Sequence, residues 1–171
     1  MADNNRSLNT VTRAIFGPEP VTTRTGYLLC VGCRERESCQ FGIISNETLE
    51  DGKVRTLLRC PANFAGGPKV AHGGWVSAVL DEMLGHLSLY ENKFSVTSLL
   101  AVDYHRPVPV EDDLEGYAWV EKRDGERWHV VGELYLIGPN ALLARAKGLF
   151  IERDISHFER HKEWLQNKGK E

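Results

Sequence analysis

Between residues 74 and 90 the apolar positions Val76, Val79, Leu80, Met83, Leu84 and Leu87 recur at steps of three and four. That spacing places them on one face of an amphipathic helix, predicted over about Gly74 to Tyr90. Ahead of it, Gly26–Cys33, Phe41–Ser45 and Val54–Cys60 read as strands, the last two joined across Glu50-Asp51-Gly52-Lys53. The Asp-Gly pair there suits a tight hairpin turn. Beyond the helix the pattern changes to strands: Val96–His105, Leu114–Lys122, Trp128–Ile137 and Ala141–Ile151. Breaks at Pro107/Pro109, Asp124-Gly125 and Gly138-Pro139-Asn140 separate them. Ser156–Gln166 carries Phe158, Trp164 and Leu165 at the spacing of a short amphipathic helix. Residues 1–25 read as a polar tail with one turn of helix, broken by Gly17, Pro18 and Pro20. The expected organisation is a tail (1–25), one α+β domain (26–153) and a C-terminal helix or tail (154–171).

Small residues recur at alternate positions of the late strands: Gly116 and Ala118, Gly132, then Ala144, Ala146 and Gly148. A sheet face lined by them lets a helix lie close, and strand glycines permit strong curvature. A curved antiparallel sheet wrapped around one long helix is the hot-dog architecture.

The 171 residues are 42% hydrophobic and 26% charged, an ordinary globular balance. A net charge of −3 offers no electrostatic footprint for nucleic acid. No apolar run is long enough for a membrane helix, and the polar N-terminus has no signal-peptide core, so a cytoplasmic protein is expected. Cys30, Cys33, Cys39 and Cys60 include one C-x2-C pair, a weak zinc pattern; small buried hydrophobes are the better reading. His86, His105 and His129 have no partner at metal-ligand spacing, and no dinucleotide or phosphate loop occurs, so neither metal nor cofactor is expected.

Chemistry concentrates at His72-Gly73-Gly74, where the predicted helix begins, followed nine residues after the histidine by Asp81. Free backbone N–H groups at a helix N-terminus hold anionic oxygen. A carboxylate two turns along can act as base or nucleophile, and the combination suggests acyl transfer. On a helical wheel Asp81 and Glu82 lie on opposite flanks of the apolar stripe, so periodicity does not choose between them. Ser77 lacks the surroundings of a nucleophile elbow.

These residues resemble the hot-dog acyl-CoA thioesterases of the phenylacetate-pathway (PaaI) type. Phe64-Ala65-Gly66-Gly67-Pro68 is similar to that family's loop before the histidine. Tyr104-His105-Arg106-Pro107-Val108 resembles its Y-x-R-P-V strand end, Leu143–Gly148 its final strand, and Cys30-Val31-Gly32-Cys33 an N-terminal stretch of bacterial members. The resemblance spans about residues 27–151. It implies hydrolysis of an acyl-CoA or acyl-carrier-protein thioester at a site between two subunits of a homodimer or dimer of dimers. By the same resemblance the Gly73 N–H, with Gly74, polarises the carbonyl. Asp81 activates water or attacks, Thr97 orients the water, and His72 shapes the turn or contacts substrate. Glu82, Trp75 and Arg106 are expected at the substrate, Trp75 narrowing the acyl pocket and Arg106, with Lys122 or Arg123, meeting coenzyme A phosphates. Asn63, nine residues before His72, departs from the place where some relatives carry asparagine. The alternative is a non-catalytic acyl-CoA or acyl-carrier binding protein on the same scaffold.

Overall fold

The computed structural model describes residues 10–168. Helix α1 (Thr10–Phe16) stops one residue before Gly17, whose φ of 94° ends it. Strands β1 (Ile43–Thr48) and β2 (Val54–Arg59) form the expected hairpin, followed by the short β3 (Ala65–Gly67) and β4 (Val70–Ala71). Helix α2 (Gly73–Tyr90) comes next, then β5 (Phe94–Tyr104), β6 (Asp113–Asp124), β7 (Arg127–Leu136), β8 (Ala141–Arg153) and α3 (Ser156–Asn167). The main sheet has six strands in the order β1-β2-β6-β7-β8-β5, every neighbour antiparallel. Among the described residues β1 and β5 are its two edges.

One stretch differs from its sequence reading. Gly26–Cys33 is not a strand of the sheet: Leu28 forms only an isolated bridge with Thr22, and a 3-10 helix begins at Val31. The alternation that suggests a strand is real, because Tyr27 and Leu29 are both buried. The backbone partners, however, are local: Thr23 N donates to Tyr27 O, Leu29 N to Val21 O and Cys33 N to Cys30 O. These local bonds, together with the 3-10 turn that begins at Val31, keep the segment out of the sheet's ladder.

Helix α2 lies across the concave face of the sheet, and the small residues of β6–β8 set how close it comes. A Cβ built on Gly116 would stand 2.2 Å from Met83 Cε, and one on Gly132 3.2 Å from Leu84 Cδ2. Ala118, Ala144 and Ala146 are buried beside them. The side chains of Val76, Val79, Leu80, Met83 and Leu84 are almost completely covered, each contributing about 1.5–3 kcal/mol of transfer free energy. The helix closes at Asn92, whose φ of 58° lets Lys93 N reach back to Ser88 O at 2.9 Å.

No helix among the described residues is long and apolar enough to cross a membrane. The four cysteines are unpaired, Cys33 and Cys60 fully buried. Burial pushes the Cys30 and Cys60 thiols up to about 11. Among the described residues no three His, Cys, Asp or Glu side chains are placed to hold a metal ion.

Candidate active site

Three faces of α2 have three different neighbours. The apolar stripe meets the sheet, Gly73, Ser77 and Asp81 line up toward β5, and Gly74, Trp75, Ala78 and Glu82 look away from the sheet.

On the β5 side, Thr97 Oγ1 donates to Asp81 Oδ1 at 2.8 Å. Burial raises the Asp81 carboxyl above its usual range, the Thr97 hydrogen bond draws it part of the way back, and the neighbouring Glu82 charge adds to the rise. A carboxylate raised in this way is the stronger base. The strand carries a bulge at this point: Thr97 pairs with Phe150 but Leu99 with Leu149, leaving Ser98 as the extra residue. Alternation along an unbroken strand would put Thr97 and Tyr104 on opposite faces. The bulge shifts the phase by one, so Thr97, Leu100, Val102 and Tyr104 all point toward the helix side.

At the start of α2, His72 is the cap. Its Nδ1 accepts from Gly74 N at 2.9 Å, and its carbonyl accepts from Trp75 N and Val76 N. Gly74 therefore has its N–H engaged, which removes it from the pair of donors expected from sequence. Gly73 is exposed, and its N–H has no acceptor among the described residues. The helix dipole and this one open donor make the end of α2 a place for a developing negative oxygen.

Asp81 and Glu82 have different partners on opposite flanks of α2. Glu82 Oε1 accepts from the Tyr27 hydroxyl at 3.1 Å and stands 3.3 Å from His86 Nε2, while the Tyr27 and His86 rings stack at 5.2 Å. Burial acts to raise the Glu82 carboxyl, but the His86 imidazole and the Tyr27 hydroxyl outweigh it and leave it below its usual range. Burial and the adjacent Glu82 charge hold the Tyr27 hydroxyl well above its own. Glu82 thus anchors the N-terminal segment on the helix, on the flank opposite Asp81.

On the same flank a cavity of about 320 Å³ opens beside the helix N-terminus, lined by Phe41, Asn63, Phe64, His72, Trp75 and Ala78. Trp75 is buried with its indole N–H on Phe41 O at 3.2 Å, so it forms a fixed wall. Asn63 faces the same cavity as His72 in spite of the nine residues between them. Arg106 donates to Leu142 O at 2.7 Å. Arg123 bridges Glu91 and Glu152 while stacked on Trp128, and Lys122 pairs with Asp124. Tyr104 was missed as a site residue: its hydroxyl lies 2.6 Å from Ser77 Oγ and donates to Gly73 O at 3.1 Å. Nothing in the local pattern announces the bulge that aims it there.

Residues 68–140 match the family model described as the thioesterase superfamily. The fold is the hot-dog fold of that superfamily. A solved structure described as a thioesterase superfamily protein is 28% identical with a TM-score of 0.59, over 64% of this chain and 55% of that one. The chain thus spans little more than half of that relative's length. A putative thioesterase of Ralstonia eutropha JMP134, described as related to phenylacetic acid degradation, is 23% identical with a TM-score of 0.61, over 84% of this chain and 99% of that one. A hypothetical thioesterase from Streptococcus pneumoniae, solved with coenzyme A, is 15% identical with a TM-score of 0.59, over 64% and 84%. No curated protein matches the chain. The resemblance to phenylacetate-pathway hot-dog thioesterases read from His72-Gly73-Gly74 and Asp81 agrees with these matches.

Proposed function

We propose that the protein hydrolyses an acyl-CoA thioester, or the same acyl group on a carrier protein, to a free carboxylic acid and a thiol. The observation that carries this reading is the polar line Gly73–Ser77–Asp81 along α2, with an open N–H at one end and a raised carboxylate held by Thr97 at the other. Asp81 takes a proton from water as the oxygen adds to the thioester carbon; in the covalent variant it adds to that carbon itself, the thiolate leaves, and water then hydrolyses the acyl-aspartate anhydride, releasing the acid and the proton and restoring the carboxylate. The Gly73 N–H holds the charge developing on the carbonyl oxygen. When the tetrahedral adduct collapses, the C–S bond breaks and the thiolate leaves, taking up the proton. A donor of this kind contributes about 2.7–4 kcal/mol to lowering the barrier.

Helical geometry adds a second subunit to the proposal. Gly73 and Asp81 are eight residues apart on one helix, about 12 Å at 1.5 Å per residue. A thioester carbon and its oxygen are adjacent atoms, so the two groups of one chain do not meet on one ester. A two-fold related copy with its α2 antiparallel would set its Asp81 against this chain's Gly73. The β5 edge, carrying exposed Leu99, is the natural seam. A homodimer is the minimum assembly, and a dimer of dimers is compatible with it.

The Streptococcus pneumoniae relative supports both substrate and residues. It was solved with coenzyme A, and also as an Asp-to-Ala and a Thr-to-Ala variant at positions 16 residues apart, the separation of Asp81 and Thr97. The test is thiol release, followed with a thiol-reactive dye, over short, long, branched and aromatic acyl-CoAs for wild type and Asp81→Asn. Turnover that falls at least about 100-fold in the variant is expected. Tight acyl-CoA binding without thiol release would refute hydrolysis in favour of a binding protein.

A further inference from the structure

We propose that the cavity beside the start of α2 is the acyl site, and that it takes an apolar acyl group of no more than about ten non-hydrogen atoms; the inference rests on the hydrolytic reading above. A thioester carbon whose oxygen sits at the Gly73 N–H has two arms to place, the acyl chain and the thiol. His72 and Gly74, the residues on either side of Gly73, both line the cavity, so its mouth adjoins the open donor. Asp81 and Thr97 lie on the opposite flank of α2. With the partner's Asp81 approaching along that flank, the cavity side is left for one arm of the ester.

The lining decides which arm enters. Phe41 and Phe64, with ring centroids 6.1 Å apart, face the cavity together with Trp75 and Ala78. Asn63 and His72 supply the only polar side chains among its described lining residues. The thiol arm of coenzyme A continues through two amides and a diphosphate to a nucleotide, and that of a carrier protein continues to the protein itself. Its amides would lose water against these rings without gaining a full set of partners. Neither thiol arm ends within about 320 Å³. The acyl arm is apolar and has an end, so it is the one that fits.

The size limit comes from the same walls. Trp75 is 1% exposed and its indole N–H is held on Phe41 O, so it does not turn aside for a longer chain. At roughly 30 Å³ for each water-sized group, the 320 Å³ holds on the order of ten non-hydrogen atoms. Each methylene that enters raises kcat/KM about fourfold, and one that stays in water adds nothing. Ala78 and Phe64, both half-buried, are the side chains whose bulk sets how much of this volume is open.

The test is kcat/KM for straight-chain acyl-CoAs from acetyl to myristoyl, measured for wild type, Ala78→Leu and Phe64→Ala. For wild type it should climb with chain length to about ten carbons and then level off. Ala78→Leu puts three more carbons into the cavity and should bring the break down by about three. Phe64→Ala removes a ring from the wall and should move the break to longer chains. A variant that is merely less stable would lower every point alike and leave the break where it was. A climb that continues to myristoyl, a profile flat from acetyl onward, or one break shared by all three proteins would overturn the proposal. If wild type released thiol from no thioester, the hydrolytic reading would fall by itself. Calorimetric Kd values for the same acyl-CoA series would then decide the cavity: a break that shifts with the two variants upholds it, and affinity independent of chain length, or no binding, overturns it.

Discussion

Removing the Glu82 carboxylate tests whether the N-terminal segment is held on α2 by the Tyr27–Glu82–His86 cluster. Tyr27 and His86 are both buried, so Glu82→Ala leaves a hydroxyl and an imidazole without their carboxylate partner. Tyr27 and His86 each make a hydrogen bond to the Glu82 carboxylate, and one hydrogen bond to a charged group contributes about 1.5–3 kcal/mol. The expected loss for Glu82→Ala is therefore about 3–4 kcal/mol at pH 7. For a chain of this size that corresponds to a Tm lower by roughly 10 °C. Tyr27→Phe leaves the Glu82–His86 contact in place and should cost less, about 1.5 kcal/mol. Because the two residues share one bond, the double variant should lose less than the sum. Glu82 is held below its usual pKa in the folded chain, so its stabilisation is present above the unfolded value and disappears as pH falls through the folded one. Urea unfolding of wild type and Glu82→Gln at pH 7 and in the acid range measures this directly. The wild type should lose more stability on acidification than the glutamine variant. A Glu82→Ala loss below about 1 kcal/mol, or strictly additive single effects, would refute the cluster as an anchor.

Three further outcomes follow from the site and the packing beneath it. Asp81→Asn should abolish turnover without lowering stability at neutral pH: burial already disfavours the charge there, a cost present above the raised folded pKa and relieved below the unfolded one, and thermal unfolding at pH 7 checks the sign. The acid limb of kcat/KM should lie above the ordinary aspartate range, and Thr97→Ala should move it higher still, because the Thr97 hydrogen bond is the contribution that lowers it; a pH–rate profile of both proteins decides. Gly116→Val forces its side chain into Met83 and should cost roughly 1–3 kcal/mol, part of it recovered by Met83→Ala in the same chain, as measured by denaturant midpoints.

The long helix and the Gly/Ala face beneath it could be read from sequence because both are strictly periodic, and the periodicity is what burial requires. Gly116 under Met83 is that pattern made physical. Tyr27 and Leu29 misled for the opposite reason: their alternation reflects anchoring in the core, while their backbone bonds are satisfied by Val21 and Thr23. Asp81 and Glu82 could not be told apart on a helical wheel, since their roles are set by residues 16 and 55 positions away. Tyr104 was hidden by parity. From Thr97 it lies an odd number of residues along the strand, and only the extra residue at Ser98 returns it to the same face.

The eight-residue separation of Gly73 and Asp81 on one helix has a genetic consequence. Gly73→Pro deletes the open N–H at the first helical position, where proline is well accommodated, and His72 already has the φ of −64° and ψ of 139° that precede proline comfortably. That chain and an Asp81→Asn chain should each be inactive alone. In a mixed dimer with the proposed shared sites both defects would fall into one of the two sites, and the other would be assembled from the sound halves of each partner. Unfolding and refolding the two dead proteins together at equal amounts should give half mixed dimers, and so recover about a quarter of wild-type sites from components that have none. The unit on which selection acts is then the pair of chains, and some alleles of this gene should complement one another within a single protein.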